Sequence, residues 1–121
     1  MKALFKTLTL AAAIGISATA NAITVGFAQV GSESGWRTSF SESVKAEAEK
    51  RGITLKFSDA QQKQENQIKA VRSFIAQRVD AILIAPVVET GWQPLLMEAE
   101  SEGIAVVMLD GNLLVTYQSL Y

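Results

Sequence analysis

The sequence predicts an α/β domain, a doubly wound parallel sheet laid down in the order β-α-β-α-β-α-β. Three observations carry this. Four short runs, Ile23 to Ala28, Ile53 to Phe57, Ala81 to Ala85 and Ile104 to Leu109, are rich in Val, Ile, Leu and Phe, as strands buried in parallel sheets are. Longer helix-compatible stretches separate them. Strand starts near 24, 53, 80 and 104 recur every 24 to 29 residues with no shared repeat motif, which argues for β-α alternation rather than a solenoid.

Before the first strand lies a leader with three parts. Lys2 and Lys6 supply positive charge, Leu8 to Ile16 form a short apolar core, and Ala20-Asn21-Ala22 fits an A-x-A processing site, so residues 1–22 are expected to be an export signal cleaved after Ala22. The alternative, a retained membrane anchor, is opposed by length, since a helical span needs roughly 20 apolar residues. No other stretch is long and apolar enough, so residues 23–121 are expected to form a soluble, periplasmic domain.

The elements follow in order. From about Gly35 to Arg51, Trp36, Phe40 and Val44 recur at spacing four, and Lys50, Arg51 and Gly52 close the helix with basic residues and a glycine. The second helix is expected to begin at Asp59-Ala60-Gln61-Gln62, read as a capping box, and to bury Ile68, Val71 and Ile75. The third is expected to begin at Thr90-Gly91-Trp92-Gln93, a second such box, with Pro94 in the first turn and Gly103 at the end. Its Glu98, Glu100 and Glu102 stand where the helix dipole disfavours acids.

Composition removes several functions. The leader holds two of the 11 basic residues and none of the 12 acidic ones, leaving a mature chain of 99 residues with net charge −3 and no basic cluster for a phosphate backbone, so no nucleic-acid partner is expected. There is no cysteine and no histidine, which removes disulfides, thiolate sites, the commonest general base and the commonest metal ligand. Neither metal nor cofactor is called for, and no nucleophile and base pairing suggests an enzyme.

In doubly wound sheets ligands bind beyond the carboxyl ends of the strands, here the loops beginning near Gln29, Ser58, Pro86 and Asp110. The first is richest. Gly31 and Gly35 allow tight turning and close approach, and Ser32, Glu33, Ser34 and Arg37 offer hydrogen bonds beside the face of Trp36. A flat aromatic beside charged hydrogen-bonding groups matches a sugar, with its apolar C–H face and ring of hydroxyls. Spacing alone equally admits Trp36 as a core residue of an amphipathic helix. A nucleotide loop is disfavoured: neither G-x-x-x-x-G-K-[ST] nor G-x-G-x-x-G is present, and Glu33 repels phosphate. Asp110 can accept hydrogen bonds from two adjacent hydroxyls. It can equally open an Asp-Gly turn with Gly111 and Asn112. For Asp59 the capping role is sufficient.

The run Thr24-Val25-Gly26-Phe27-Ala28-Gln29-Val30-Gly31-Ser32-Glu33-Ser34-Gly35-Trp36-Arg37 resembles the mature start of the periplasmic sugar-binding proteins of ABC importers, type I and ribose-like in lobe architecture, most closely the galactofuranose-binding type. Ala48 to Ile53, Gln61 to Phe74, and Ile84-Ala85-Pro86-Val87-Val88 with Thr90-Gly91-Trp92 extend the likeness over nearly all of the chain from Thr24 to Asp110. The resemblance implies a non-enzymatic receptor of two lobes that closes on one monosaccharide and presents it to a membrane permease. It carries sugar contacts to Glu33, Ser34, Gly35, Trp36 and Arg37, and to Asp110 after the fourth strand. A sugar-sensing domain docking on a chemotaxis or signalling receptor is the alternative role. A cytoplasmic regulator with the same lobes would carry a helix-turn-helix where the leader stands.

Two departures from that family stand out. The family places arginine after the aspartate, where this chain has Gly111. It also runs to roughly three hundred residues as the resemblance has it, while this sequence reads as a partial N-terminal lobe, 23–121, ending just as Ser119-Leu120-Tyr121 resembles the start of a further strand. A lobe alone is expected to have open edges, marginal stability, and weak or no sugar binding. Leu113-Leu114-Val115-Thr116-Tyr117 is apolar where the family is polar.

Overall fold

Neighbouring residues of the first strand bury into different clusters, Phe27 on one side and Ala28 on the other, so both faces of the sheet are covered. The computed structural model describes residues 22–110 and 113–117, with side chains through 109. Residues 1–21, 111–112 and 118–121 lie outside the described residues, as therefore do the export-signal reading and the expected strand start at Ser119. The elements are β1 (Thr24–Gln29), α1 (Gly35–Lys50), β2 (Thr54–Asp59), α2 (Gln64–Ala76), β3 (Ala81–Ile84), α3 (Gln93–Ser101), β4 (Ala105–Asp110) and β5 (Leu113–Tyr117). Among the described residues no helix is long and apolar enough to cross a membrane.

The sheet order is β2-β1-β3-β4-β5. Its first four strands are mutually parallel, in the β-α-β-α-β-α-β order expected. β5 adds an antiparallel edge, pairing Asp110 with Leu113 and Val106 with Tyr117. The apolar tail is thus a strand of its own. Two residues separate it from β4, a length that suits a hairpin and is far too short for a crossover.

The faces differ in depth. On one, α2 and α3 supply Val71, Phe74, Ile75, Leu95, Leu96 and Ala99 to a cluster with Ala28, Ile82, Ile84 and Val106 from the strands. Gly26 belongs to this closeness: a Cβ there would lie 2.5 Å from the Phe74 ring. On the other face, among the described residues, α1 alone packs, placing Phe40 and Val44 against Phe27, Leu55, Leu83 and Leu109. β2 was expected to be buried, but it is an edge strand whose Phe57 remains 37 % exposed, with the Lys45 ammonium 4.2 Å above its ring. Lysines on and over an exposed edge discourage further strand pairing.

Two helix starts differ from expectation. Asp59 ends β2 and its Oδ1 accepts from the Gln61 N–H at 2.8 Å, while Gln61 and Gln62 take φ of 53° and 64°. That left-handed pair forbids a helix before Gln64, whose preceding residue, Lys63, makes no side-chain cap. An Asp with Gln three residues on satisfies a turn as readily as a capping box. Thr90 likewise does not cap α3, because Gly91 intervenes at φ +87° and Trp92 occupies the cap position without a side-chain bond. Trp92 is instead buried, its Nε1–H donating to Val88 O at 2.7 Å. The acidic end of α3 persists because the Glu102 N–H closes the last carbonyls.

Candidate ligand-binding site

β1 sits between β2 and β3, so the chain leaves β1 toward α1 on one face and leaves β3 toward α3 on the other. A crevice opens where connections part in this way. Here it is a cavity of about 340 Å³ lined by Trp36, Arg37 and Phe40 of α1, by Ala85, Pro86, Val87 and Glu89 after β3, and by Leu109 near the end of β4. Its size falls among small-molecule sites, roughly 300–1,000 Å³.

Local structure sets the first wall. Ser34 has extended backbone and its Oγ accepts from the Arg37 N–H at 3.1 Å, which starts α1 at Gly35 and fixes the first turn. Trp36 then projects outward, 62 % exposed, resolving its two sequence-level readings against the core. Its ring stacks on Phe40 at 5.7 Å and 23° between planes. Phe40 meets Phe27 edge-on at 5.9 Å, and Phe27 meets Phe57 at 5.6 Å, so an aromatic series runs from solvent into the core. Such pairs add about 0.5–1.5 kcal/mol each beyond area burial, which holds the outermost ring in a defined attitude.

Arg37 is held from three sides. Its Cζ lies 5.6 Å from the Trp36 centroid, its Nε–H donates to Glu33 Oε1 at 2.9 Å, and its Nη1 is 3.5 Å from Gln29 Oε1. Gln29 is fully buried, donates from Nε2 to Ser41 Oγ at 3.1 Å, and accepts the Val30 N–H at 2.9 Å. A bond from its own backbone N–H holds the Glu33 carboxyl below the usual carboxylate range, against partial desolvation, with Arg37 adding to the lowering. Gly31 makes room for this carboxylate: a Cβ there would lie 2.7 Å from Glu33 Oε2. Neither Gly31 nor Gly35 has positive φ, and Gly35 faces open space, so tight turning is not what either provides.

Of the residues singled out by sequence, Trp36 and Arg37 line the cavity. Glu33 reaches it through Arg37, and Ser34 and Gly35 build the helix start. Asp110 closes β4 beside Leu109, and its side chain lies outside the described residues. Asp59 is not part of the lining. The sequence points to the Pro86 loop without marking Val87 or Glu89 as ligand groups, and Phe40 shows there only as part of the apolar face of α1. The chemistry is that of a trough of mixed polar and apolar surface with an aromatic lip and two charged groups, Arg37 and Glu89, suited to a ligand having both C–H and hydroxyl faces.

A family model described as periplasmic binding protein domain matches residues 25–121. The chain is 63 % identical over 110 residues to galactofuranose-binding protein YtfQ of Escherichia coli (strain K12), covering 91 % of this chain and 35 % of the relative. Among solved structures it is similar to the periplasmic binding protein component of the arabinose ABC transporter from Shewanella sp. ANA-3, bound to α- and β-L-arabinofuranose. That match has 80 % identity and TM-score 0.69 over 70 % of this chain and 28 % of the other. A galactofuranose-binding protein matches at 69 % identity and TM-score 0.71 over 73 % of this chain and 30 % of its own. The chain therefore spans about a third of the length of these relatives.

Proposed function

The chain belongs to the periplasmic binding protein family, and from that premise we propose that it forms one wall of a sugar-binding site in an extracytoplasmic receptor serving an ABC importer. The observation that carries the reading is the cavity at the β1–β3 divergence, with the exposed Trp36 ring on its lip and Arg37 beside it. One solved relative described above is bound to arabinofuranose and the other is a galactofuranose-binding protein, and a furanose is the ligand class proposed.

In this reading Trp36 stacks on the C–H face of the sugar, while Arg37 donates to its hydroxyls. Glu33 accepts from a hydroxyl and keeps Arg37 oriented, and Ser34 and Gly35 bring the first turn of α1 to the ligand. Asp110 accepts from two adjacent hydroxyls. Gly111 offers no side chain where a second donor would help, so the wall leans on its aromatic contact. A second wall, from a lobe like those the resemblance implies, would meet the sugar only on closure, which is how differential binding drives such a receptor shut and ready for its permease. Export by the leader, with cleavage after Ala22, belongs to the same proposal.

Titration of the isotope-labelled processed chain with L-arabinose and D-galactose tests it. Weak saturable shifts are expected at the Trp36 indole N–H and the Val87 amide. Sugar-induced shifts confined to other surfaces would overturn it. N-terminal sequencing of exported protein should begin at Ile23.

A further inference from the structure

The second fully buried glutamine, Gln67, lies on α2, on the sheet face opposite Trp36, yet its amide bonds to Ala85 and Val87, which line the cavity. β3 ends at Ile84, and the Ala85 N–H still donates to Ala28 O at 3.0 Å. Pro86 then has no N–H to continue the ladder. Gln67 takes over at that point. Its Nε2 donates to Ala85 O at 2.7 Å and lies 3.5 Å from Ala28 O, while its Oε1 accepts the Val87 N–H at 2.9 Å.

We propose that Gln67 is a positioning residue for ligand binding, its single amide replacing a peptide group of the ladder and so holding the Ala85–Val87 wall across the cavity from Trp36. The inference rests on reading this cavity as the ligand site.

The chemistry is restrictive. One group must donate to the carbonyl before the proline and accept from the N–H after it, which an amide does and an ionised carboxylate does not. Asparagine is one methylene shorter. The amide's location is set by α2, whose Val71, Phe74 and Ile75 are buried in the core, and not by the loop it grips. Gln64, one turn earlier, makes a second and exposed hold, donating to Thr90 O at 2.6 Å. The wall therefore takes its position from the opposite face of the sheet.

The test uses the processed chain. In the wild type, slow hydrogen exchange is expected at the Val87 amide and at the Gln67 side-chain NH₂, and exchange at free-peptide rates would overturn the proposal even if no variant folds. Gln67→Glu at neutral pH should bind L-arabinose about tenfold more weakly, the loss expected when a buried carbonyl loses its donor. Burial raises the pKa of the introduced carboxyl, and its protonated form again has one donor and one acceptor. Acidification should therefore restore the affinity relative to wild type at the same pH, whereas Gln67→Met stays weak throughout. Unchanged affinity in a Gln67 variant whose Val87 amide has become exchangeable would overturn the positioning role alone. Wild-type sugar-induced shifts confined to surfaces away from Trp36 and Val87 would overturn the ligand-site reading and the positioning role with it.

Discussion

The two faces of the sheet bury their apolar residues to different depths. Under α2 and α3, Ile82 and Ile84 are wholly excluded from solvent, and Phe74 packs so near β1 that only glycine fits at position 26. Under α1, Leu83 and Leu109 are half-buried, and the aromatic series from Phe57 through Phe27 and Phe40 ends in the open at Trp36. A sheet face that leaves apolar groups partly uncovered gives up stability that must come from elsewhere. Here it comes from the opposite side of the same strands, where alternation of side chains lets neighbouring residues serve different ends.

Substitutions can break that contrast. The largest effect is expected for Ile82→Ala, a loss of about 2–5 kcal/mol in urea unfolding, against about 1 kcal/mol for its half-buried neighbour Leu83→Ala. Equal losses would mean that the faces contribute alike. Gly26→Ala should cost about 1–3 kcal/mol, since the new methyl meets the Phe74 ring at 2.5 Å, and Phe74→Leu in the same chain should recover part of it. If Gly26→Ala proves neutral by the same measurement, the two-helix face is not tightly packed there.

On the α1 side, Trp36→Ala should cost about 0.5–1.5 kcal/mol, the worth of its stack on Phe40, while abolishing sugar-induced shifts at the Val87 amide. A large fall in thermal midpoint would place the ring in the core after all. The smallest effect concerns pH. Glu33 has a lowered pKa in the folded chain, so its contribution is present at neutral pH and is lost as pH falls through that lowered value, below the usual carboxylate range. Carboxyl NMR titration should show the lowering, and Arg37→Ala should remove only part of it, because the bond from the backbone N–H is the larger cause.

How far these features were legible varies from one element to the next. Whereas the cap that Ser34 makes at the start of α1 shows only in the structure, Lys50, Arg51 and Gly52 mark its end, because such signals act within one turn. Asp59 misleads for the same reason: its side chain bonds two residues on, and whether a helix or a left-handed turn follows depends on where Gln62 must sit, with its N–H on Val30 O at 2.8 Å. Trp36 was legible as an aromatic at helical spacing but not as exposed, since spacing four is shared by core and lip. Gln67 carried no signal at all. It lies in a polar run, Gln61 to Gln67, and only the arrival of β3 beside β1 gives its amide a proline to bridge.

The chain by itself determined the order of strands and helices, the loops at the carboxyl ends and the chemistry offered by Glu33 to Arg37, because apolar period, caps and residue type are local properties. Tertiary structure alone decided that β5 turns back antiparallel, that Trp36 faces outward, and that Ala85 to Glu89 stands opposite it, held by a glutamine 18 residues before Ala85. Those are outcomes of which surfaces meet. Packing, unlike propensity, is defined only between segments that are distant along the chain.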